Sequence, residues 1–132
     1  MQRSLSVLLP VKNVQATLTA SVHEILDVAA DSGDQFELLI IDDGSTDATS
    51  EVAHELSRHY PQVRMVRHGR PLGREAAIRS GLKRSRGEVV VLRDEKHGFR
   101  VLEHSAEPPK HASSHPTRPN YLDRLKRFAL GE

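Results

Sequence analysis

A short, almost continuous apolar run followed at once by two acids constrains this chain more than any other feature. The run extends from Phe36 to Ile41 and reads FELLII. A run of this length and character is typical of a strand buried on both faces, as in a parallel sheet covered by helices. Asp42 and Asp43 follow it directly. Because ligands bind outside the carboxyl ends of the strands in open α/β sheets, the sequence predicts a site at this edge.

The residues after this run fit either a binding site or the start of a helix. Gly44 allows a tight turn, and Ser45, Thr46 and Asp47 are candidate N-caps for a following helix. Adjacent carboxylates at a strand end can accept hydrogen bonds from a nucleobase or ribose, hold a neighbouring loop, or bind a hard cation. They can also do no more than favour the start of the helix through its dipole. The acid pair alone leaves these alternatives open.

Segments with the periods of strands and helices alternate along the chain. Strand-like runs cover residues 5–10, 36–41, 63–66 and 89–92, and helix-like spacing covers residues 15–30, 47–59 and 73–87. Such alternation predicts a parallel sheet with right-handed crossovers. We therefore predict an α/β fold with a mainly parallel sheet of four or five strands, in the order 3-2-1-4, and with helices on both faces. A fifth strand over residues 99–102 would run antiparallel to the fourth.

This strand order places a switch point between the first and fourth strands. Loops at residues 10–13, 42–45 and 93–96 would converge there. At the start of the third helix, Gly73 lets the backbone approach a ligand, and Arg74 beside a helix N-terminus suits a diphosphate. The alternative is a plain turn followed by a solvated arginine. A cation at a helix N-terminus is unfavourable without a counter-ion, which favours the binding role.

The character of the sequence changes after the last predicted strand. We assign residues 1–104 to one folded domain and residues 105–119, which are rich in proline, serine and histidine, to a linker. Residues 120–132 are predicted to form an amphipathic helix that Asn120 caps and Gly131 ends.

Composition narrows the classes of protein to which the chain can belong. The absence of cysteine excludes a disulfide scaffold, a thiolate zinc site and cysteine catalysis. No apolar run approaches the roughly 20 residues of a membrane helix, and the N-terminal run is too short for a signal peptide. We therefore expect a cytoplasmic protein with no transmembrane segment, in which a peripheral membrane role stays open.

The net charge of +1 conceals an asymmetry between the two parts of the chain. Residues 1–60 carry three Lys and Arg against ten Asp and Glu, whereas residues 61–132 carry sixteen against eight. This split fits either a basic surface for nucleic acid or phosphate, or two faces of one fold that attract each other. Because the basic residues are spread over several elements, aromatic residues are few and no recognition motif is present, we expect no nucleic-acid partner.

Four motifs together resemble a known family. In order and spacing, SVLLPVKN, LLIIDDGSTDAT, PLGREAAIRSG and GEVVVLRDE are similar to the N-terminal half of family 2 glycosyltransferases, which have the GT-A fold. The third motif is most similar to the polyprenyl-phosphate sugar transferase branch. The resemblance covers about residues 4–96. It implies a UDP- or GDP-linked sugar as ligand, and glycosyl transfer to a lipid-phosphate or glycan acceptor as the family reaction.

The resemblance also implies which residues line a nucleotide-sugar site. Those at the base and ribose are Pro10, Val11, Lys12, Asn13 and Asp43. Those that support this loop or lie in the adjoining turn are Asp42, Gly44 and Ser45, and those near the diphosphate are Gly73 and Arg74. Asp94 falls on the first acid of the family's Asp-x-Asp motif, which implies contact with the ribose and with a Mg or Mn ion that bridges the diphosphate.

The chain departs from the family pattern at several positions. Lys12 and Val14 replace an aromatic residue and an acid of the first motif, and Pro71 replaces the asparagine of the third. Lys96 stands at the second acid of Asp-x-Asp, where a cation repels a divalent metal. Family members continue well beyond residue 96, with the acceptor side of the cleft and a general base.

We therefore expect a protein that binds a nucleotide-diphosphate sugar but is incomplete for transfer on its own. The alternative is a catalytically inactive nucleotide-binding or assembly module that acts through a partner. In that case a second copy of the chain or a partner protein would cover an edge of the sheet.

Overall fold

The computed structural model of the protein describes residues 4–33, 35–94 and 98–102. In chain order the elements are β1 (Ser4–Val11), α1 (Leu18–Asp31), β2 (Gln35–Asp43), α2 (Thr49–His59), β3 (Val63–His68), α3 (Arg74–Arg84), β4 (Val89–Asp94) and β5 (Gly98–Leu102). Strands and helices alternate, which confirms the predicted α/β fold. The predicted linker and final helix, residues 105–119 and 120–132, lie outside the described residues.

The five strands form one sheet in the order β3-β2-β1-β4-β5. The neighbouring pairs from β3 to β4 are parallel, and β5 runs antiparallel to β4. Both the predicted order of the first four strands and the antiparallel fifth strand are confirmed. The switch point between β1 and β4 is where ligands bind in sheets of this kind.

Helices cover both faces of the sheet, as predicted. On one face, Val22 and Ile25 of α1 and Leu56 of α2 share a buried cluster with Val7 and Leu9 of β1. On the other face, α3 contributes Ala77 to a second cluster, whose strand residues are Leu8, Leu39, Ile41, Val90 and Leu92. Successive residues of β1 and β2 thus point into different cores, which explains why their apolar runs do not alternate with polar residues.

The third helix lies unusually close to the sheet at one residue. A Cβ built on Gly81 would come within 2.9 Å of Ile41 Cδ1 and 3.0 Å of Leu8 Cδ1. Because Gly81 has no side chain, α3 can pack directly against β1 and β2. Within the described ranges, no helix has the combination of length and apolar character that crossing a bilayer requires.

Several element boundaries differ from the prediction. Asp42 and Asp43 are the last residues of β2 instead of the first residues after it, and β3 extends past the predicted run over residues 63–66 to His68. Parallel pairing causes the extension, because Asp42 stays opposite Val11 on one side and Asp43 stays opposite His68 on the other. The helices α1 and α2 begin later than predicted, and α3 ends at Arg84.

Candidate functional site

The loops that follow β1 and β2 bind each other through Asn13. Its N–H donates to Ser45 Oγ over 2.9 Å, and its side-chain Oδ1 accepts from the N–H of Thr46 at 2.8 Å and of Asp47 at 3.3 Å. Asn13 adopts a φ of 53°, a left-handed conformation that asparagine tolerates better than most residues. The asparagine of the predicted base and ribose loop thus organises the entry to α2.

The same two loops satisfy further N–H groups at the start of α2. The Ala48 N–H donates to Gln15 Oε1 at 2.7 Å, and the Thr49 N–H donates to Asp47 Oδ1 at 2.8 Å. In return, Val14 donates its N–H to Thr49 Oγ1 at 2.7 Å. Two of the donors that a helix leaves unpaired at its beginning are therefore satisfied by side chains of the protein.

Asp42 is completely buried and connects β2 to this pair of loops. Its Oδ1 accepts from the Ser45 N–H at 3.1 Å, and Ser45 in turn accepts from Asn13. Its Oδ2 has no hydrogen-bond partner and lies 3.9 Å from Arg67 Nε. A buried carboxylate oxygen without a hydrogen-bond donor is costly, and here the ion pair with Arg67 is the contact that this oxygen has.

Asp43 holds the loop that precedes α3. Its Oδ1 accepts from His68 Nδ1 and from the Leu72 N–H, both at 2.8 Å, and its Oδ2 accepts from the Gly73 N–H at 3.0 Å. Burial raises the pKa of this carboxyl, but the hydrogen bonds from Leu72, His68 and Gly73 outweigh burial and bring the pKa below its ordinary value. Asp43 is therefore charged at neutral pH and firmly oriented.

The turn after the acid pair lies directly under that loop. Gly44 has a φ of 70°, and a Cβ built on it would lie 2.4 Å from the Pro71 nitrogen. Pro71, which replaces the asparagine of the third motif, thus touches the Gly44 turn. The predicted turn residues and the loop before α3 form one packed unit.

Arg74 and Asp94 form an ion pair across this edge of the sheet. Arg74 Nη2 donates to Asp94 Oδ2 at 2.8 Å; the arginine side chain is 48% exposed, whereas that of Asp94 is 11% exposed. Gly73, just before α3, has a φ of 102°, which few residues other than glycine adopt. The cation predicted for the diphosphate is therefore paired with the acid predicted for the metal.

The described residues alone do not form a metal site. In residues 4–33, 35–94 and 98–102, no three His, Asp or Glu side chains come together as metal ligands. Asp94 is paired with Arg74, and both oxygens of Asp43 accept hydrogen bonds from the protein. A metal ion that keeps several water ligands and is also bound by substrate phosphates needs only one or two protein carboxylates. Asp94 fits such a site as its single carboxylate.

The predicted site residues lie on neighbouring elements at the carboxyl edge of the sheet. Residues 10–13 end β1 or follow it, Asp42 and Asp43 end β2, Gly73 and Arg74 open α3, and Asp94 ends β4. Val11 belongs to β1 instead of the loop, while Lys12 and Asn13 are exposed. Lys96 lies outside the described residues.

Two further polar residues near this edge are not predicted from the sequence. His68 and Ser80 are hydrogen-bonded to each other at 2.8 Å, and His68 contacts Asp43. The apolar run of β3 stops at Val66, so apolar periodicity did not extend the strand to His68. Continuing the parallel register by two residues would have placed His68 opposite Asp43.

A cavity of about 480 Å³ lies elsewhere, between α1 and α2. It is lined by Thr19, His23, Glu51, Val52, Glu55, Leu56, His59 and Tyr60. None of the predicted site residues belongs to it.

Comparison with known proteins gives a consistent family assignment. The model of the family described as Glycosyl transferase family 2 matches residues 6–95. The human dolichyl-phosphate beta-glucosyltransferase is 32% identical over 99 residues, which cover 70% of this chain and 31% of the relative. The undecaprenyl-phosphate 4-deoxy-4-formamido-L-arabinose transferase of Edwardsiella ictaluri is 31% identical over 90 residues, which cover 67% of this chain and 28% of the relative. The chain thus spans about three tenths of the length of these relatives.

Solved structures share the fold. A mannosyltransferase from Pyrobaculum calidifontis, in complex with GDP-Man and Mn²⁺, aligns with a TM-score of 0.61 and 22% identity, over 71% of this chain and 28% of its own. S. aureus TarS in complex with UDP-GlcNAc aligns with a TM-score of 0.58 and 21% identity, over 71% of this chain and 26% of its own. At these identities the likeness concerns the fold alone.

Proposed function

The chain belongs to glycosyl transferase family 2, and from that premise we propose that it binds the nucleotide-diphosphate part of a sugar donor at the carboxyl edge of β1, β2 and β4. UDP- and GDP-linked sugars are the two classes to test, because the structural neighbours hold GDP-Man and UDP-GlcNAc. The observation that carries the proposal is that residues 10–13, Asp43, Arg74 and Asp94 lie at one edge of the sheet, where Asp43 accepts from the Gly73 N–H and Arg74 pairs with Asp94.

Each group at this edge has a role that its contacts allow. Residues 10–13 face the nucleoside, with Lys12 in place of a stacking aromatic residue. Arg74 exchanges Asp94 for the diphosphate, because its half-exposed guanidinium can donate to phosphate oxygens as it donates to Asp94 Oδ2. The Gly73 turn at the start of α3 lets the diphosphate approach the backbone closely.

A Mg or Mn ion, when bound, would neutralise part of the diphosphate charge. Asp94 is the described residue that would contact it, either directly or through water. We propose that the ion arrives with the nucleotide, since magnesium is commonly held by one or two carboxylates together with substrate phosphates.

We propose binding, and not transfer, as the activity of this chain alone. Both named relatives are transferases with a lipid phosphate in their names, and transfer to a lipid-phosphate or glycan acceptor is the corresponding reaction for a complete protein of this family. The family match ends at residue 95, and the positive charge of Lys96 opposes a metal at the second acid position. A partner chain is one way to supply the acceptor side.

A nucleotide titration with and without Mn²⁺ tests the proposal. Amide chemical shifts of the 132-residue protein are followed while UDP or GDP is added, and we expect shifts at Asn13, Gly44, Gly73 and Arg74. The absence of any change near Asp43 with either nucleotide would contradict the proposal. Incubation with UDP-glucose or GDP-mannose should release no sugar above the rate of the buffer.

A matched pair of arginine variants makes the test specific. Arg74→Gln should weaken nucleotide binding about tenfold, because it removes a charge-assisted contact to phosphate. Arg79→Gln changes an exposed arginine on the same helix and should leave the affinity unchanged. Equal effects of the two variants would mean that net charge, and not a site at Arg74, governs binding.

A further inference from the structure

We propose that His68 is a positioning residue of the nucleotide site, an inference that rests on the function proposed above. His68 is buried at the end of β3. Its Nδ1 lies 2.8 Å from Asp43 Oδ1, and its Nε2 lies 2.8 Å from Ser80 Oγ on α3. One imidazole therefore ties the acid of β2 to a helix on the face of the sheet.

The chemistry of the three groups fixes the direction of these hydrogen bonds. A carboxylate only accepts, so Nδ1 of His68 carries the proton that is donated to Asp43. In the neutral ring Nε2 then accepts from the Ser80 hydroxyl, and in the charged ring it donates to the same oxygen. Because a hydroxyl can both donate and accept a hydrogen bond, the contacts from Asp43 through His68 to Ser80 are compatible with either protonation state of the ring.

These hydrogen bonds determine how many acceptor positions of the Asp43 carboxylate are left for a ligand. A carboxylate offers about four acceptor positions, and three are taken by His68, the Leu72 N–H and the Gly73 N–H. Oδ1 accepts two of these hydrogen bonds and Oδ2 accepts one. Oδ2 therefore keeps one position for an N–H or O–H donor of a nucleoside. His68 holds Oδ1, so it prevents the carboxylate from rotating away from that role.

The position of Ser80 is set by the packing of the next residue. Gly81 brings α3 to within side-chain contact of Leu8 and Ile41, which are both fully buried. The serine that orients His68 is thus fixed before any ligand binds. Such pre-organisation lowers the entropy that binding has to overcome.

The order Asp, His, Ser also occurs in hydrolase triads, but Ser80 lacks the surroundings of a nucleophile. Hydrolases of that kind need free N–H donors beside the serine to bind an oxyanion. Ser80 lies within α3, between Arg74 and Arg84, where the backbone N–H of Ser80 is used by the helix. The geometry therefore supports a positioning role for the serine.

Two substitutions of His68 separate its two contacts. His68→Asn keeps a donor at the place of Nδ1 and loses the contact with Ser80, whereas His68→Gln keeps a donor near Nε2 and loses the contact with Asp43. Dissociation constants for UDP and GDP are measured by calorimetry well below the melting temperature of each variant. We expect His68→Gln to weaken binding about tenfold and His68→Asn less than about threefold, since a hydrogen bond to a charged group is lost only in the first. Ser80→Ala loses the same contact as His68→Asn and should likewise weaken binding less than about threefold.

Amide hydrogen exchange gives a second readout that needs no ligand. Exchange at Leu72 and Gly73 should accelerate in His68→Gln and stay close to the wild-type rate in His68→Asn. His54→Gln, at an exposed histidine of α2, is the matched control and should change neither affinity nor exchange.

The outcomes distinguish this inference from the function on which it rests. Wild-type protein that binds neither nucleotide contradicts the proposed function, while the exchange rates still decide whether His68 positions Asp43. Wild-type protein that binds, together with equal dissociation constants for His68→Gln and His68→Asn, overturns the inference alone. If both variants melt at a lower temperature but do not differ in affinity or in exchange rates, His68 has only a structural role. That result would also overturn the inference.

Discussion

Gly44 determines how closely the acid pair and the loop before α3 can approach each other. It combines a φ of 70° with backbone atoms of Arg70 and Pro71 that lie 2.5 and 2.4 Å from where a Cβ would stand. Backbone atoms cannot rotate aside as the end of a side chain can. Any other residue at this position must therefore both strain its own backbone and push the loop off the site.

The first prediction compares Gly44 with a glycine that has the same conformation but open space. Gly44→Ala should lower the free energy of unfolding by about 3 kcal/mol, because strain and overlap add. Gly33→Ala, at a φ of 76° with no atom within 4 Å, should cost only about 1 kcal/mol for the strained backbone. Urea denaturation of both variants gives the comparison. Equal losses would show that the contact with Pro71 carries no weight.

Sequence reasoning placed most candidate site residues at one edge, and it did so for a general reason. Carboxyl ends of parallel strands share an edge, so Asp42, Asp43 and Asp94 were expected at the same edge once the strand order was known. The order followed from the alternation of elements. The contacts of His68 and the ion pair between Arg74 and Asp94 were not predicted. Side chains that pair across different elements leave no periodic signal in the sequence.

Apolar periodicity was sufficient to predict each described strand and helix, but local capping rules did not locate the start of α2. Of the candidate caps Ser45, Thr46 and Asp47, only Asp47 accepts from an N–H at the beginning of α2, that of Thr49. The acceptors that organise this entry come largely from Asn13 and Gln15, in the loop after β1. Caps supplied by another loop depend on the tertiary fold, and a single sequence cannot reveal them.

The second prediction concerns the packing of α3 on the sheet. Gly81→Ala would ordinarily stabilise a helix by about 1 kcal/mol, but here its Cβ would lie 2.9 Å from Ile41 Cδ1. We expect a net loss of about 1 kcal/mol in the free energy of unfolding. Ile41→Val removes that Cδ1 and costs about 1 kcal/mol alone.

The double variant of Gly81 and Ile41 completes a mutant cycle. Because each change relieves the other, the double variant should be more stable than the sum of the single losses predicts, by about 1 kcal/mol. Chemical denaturation of the four proteins measures this coupling. Strict additivity would show that α3 shifts as a whole to accommodate the methyl group.

For the whole molecule, the charge asymmetry of the sequence becomes a difference between two faces. Asp27, Glu51 and Glu55 are exposed on α1 and α2, whereas Arg79 and Lys83 are exposed on α3, on the opposite side of the sheet. Such a distribution orients the molecule in an electric field without a high net charge.

The third prediction is the loss of global stability in acid. Burial raises the pKa of Glu37, but hydrogen bonds from Ser6, the Arg86 N–H and Arg64 outweigh it, so the pKa of Glu37, like that of Asp43, lies below its ordinary value. A carboxyl with a depressed folded pKa stabilises the fold above its unfolded pKa, and that stability is lost as the pH falls through the folded value.

The free energy of unfolding should therefore be nearly constant above about pH 5 and should fall below about pH 4. Urea denaturation across this range measures the slope. Glu37→Gln and Asp43→Asn should each flatten it, whereas Asp27→Asn, at an exposed residue of α1, should not. A slope that is the same in all four proteins would place the acid sensitivity elsewhere.

In the proposed site, the ion pair between Arg74 and Asp94 should make the binding of an anion and that of a cation interdependent. A diphosphate that draws Arg74 to itself removes a positive charge from beside the carboxylate of Asp94. A divalent ion then meets less repulsion there, so nucleotide and metal should each raise the affinity for the other by the same factor, as linkage requires. Titrating UDP at several Mn²⁺ concentrations, and Mn²⁺ at several UDP concentrations, gives the two factors. Replacing Arg74 by glutamine should bring both affinity factors closer to one. The arginine would thus compete with the divalent ion for Asp94 until the diphosphate binds, which makes the two ligands cooperative.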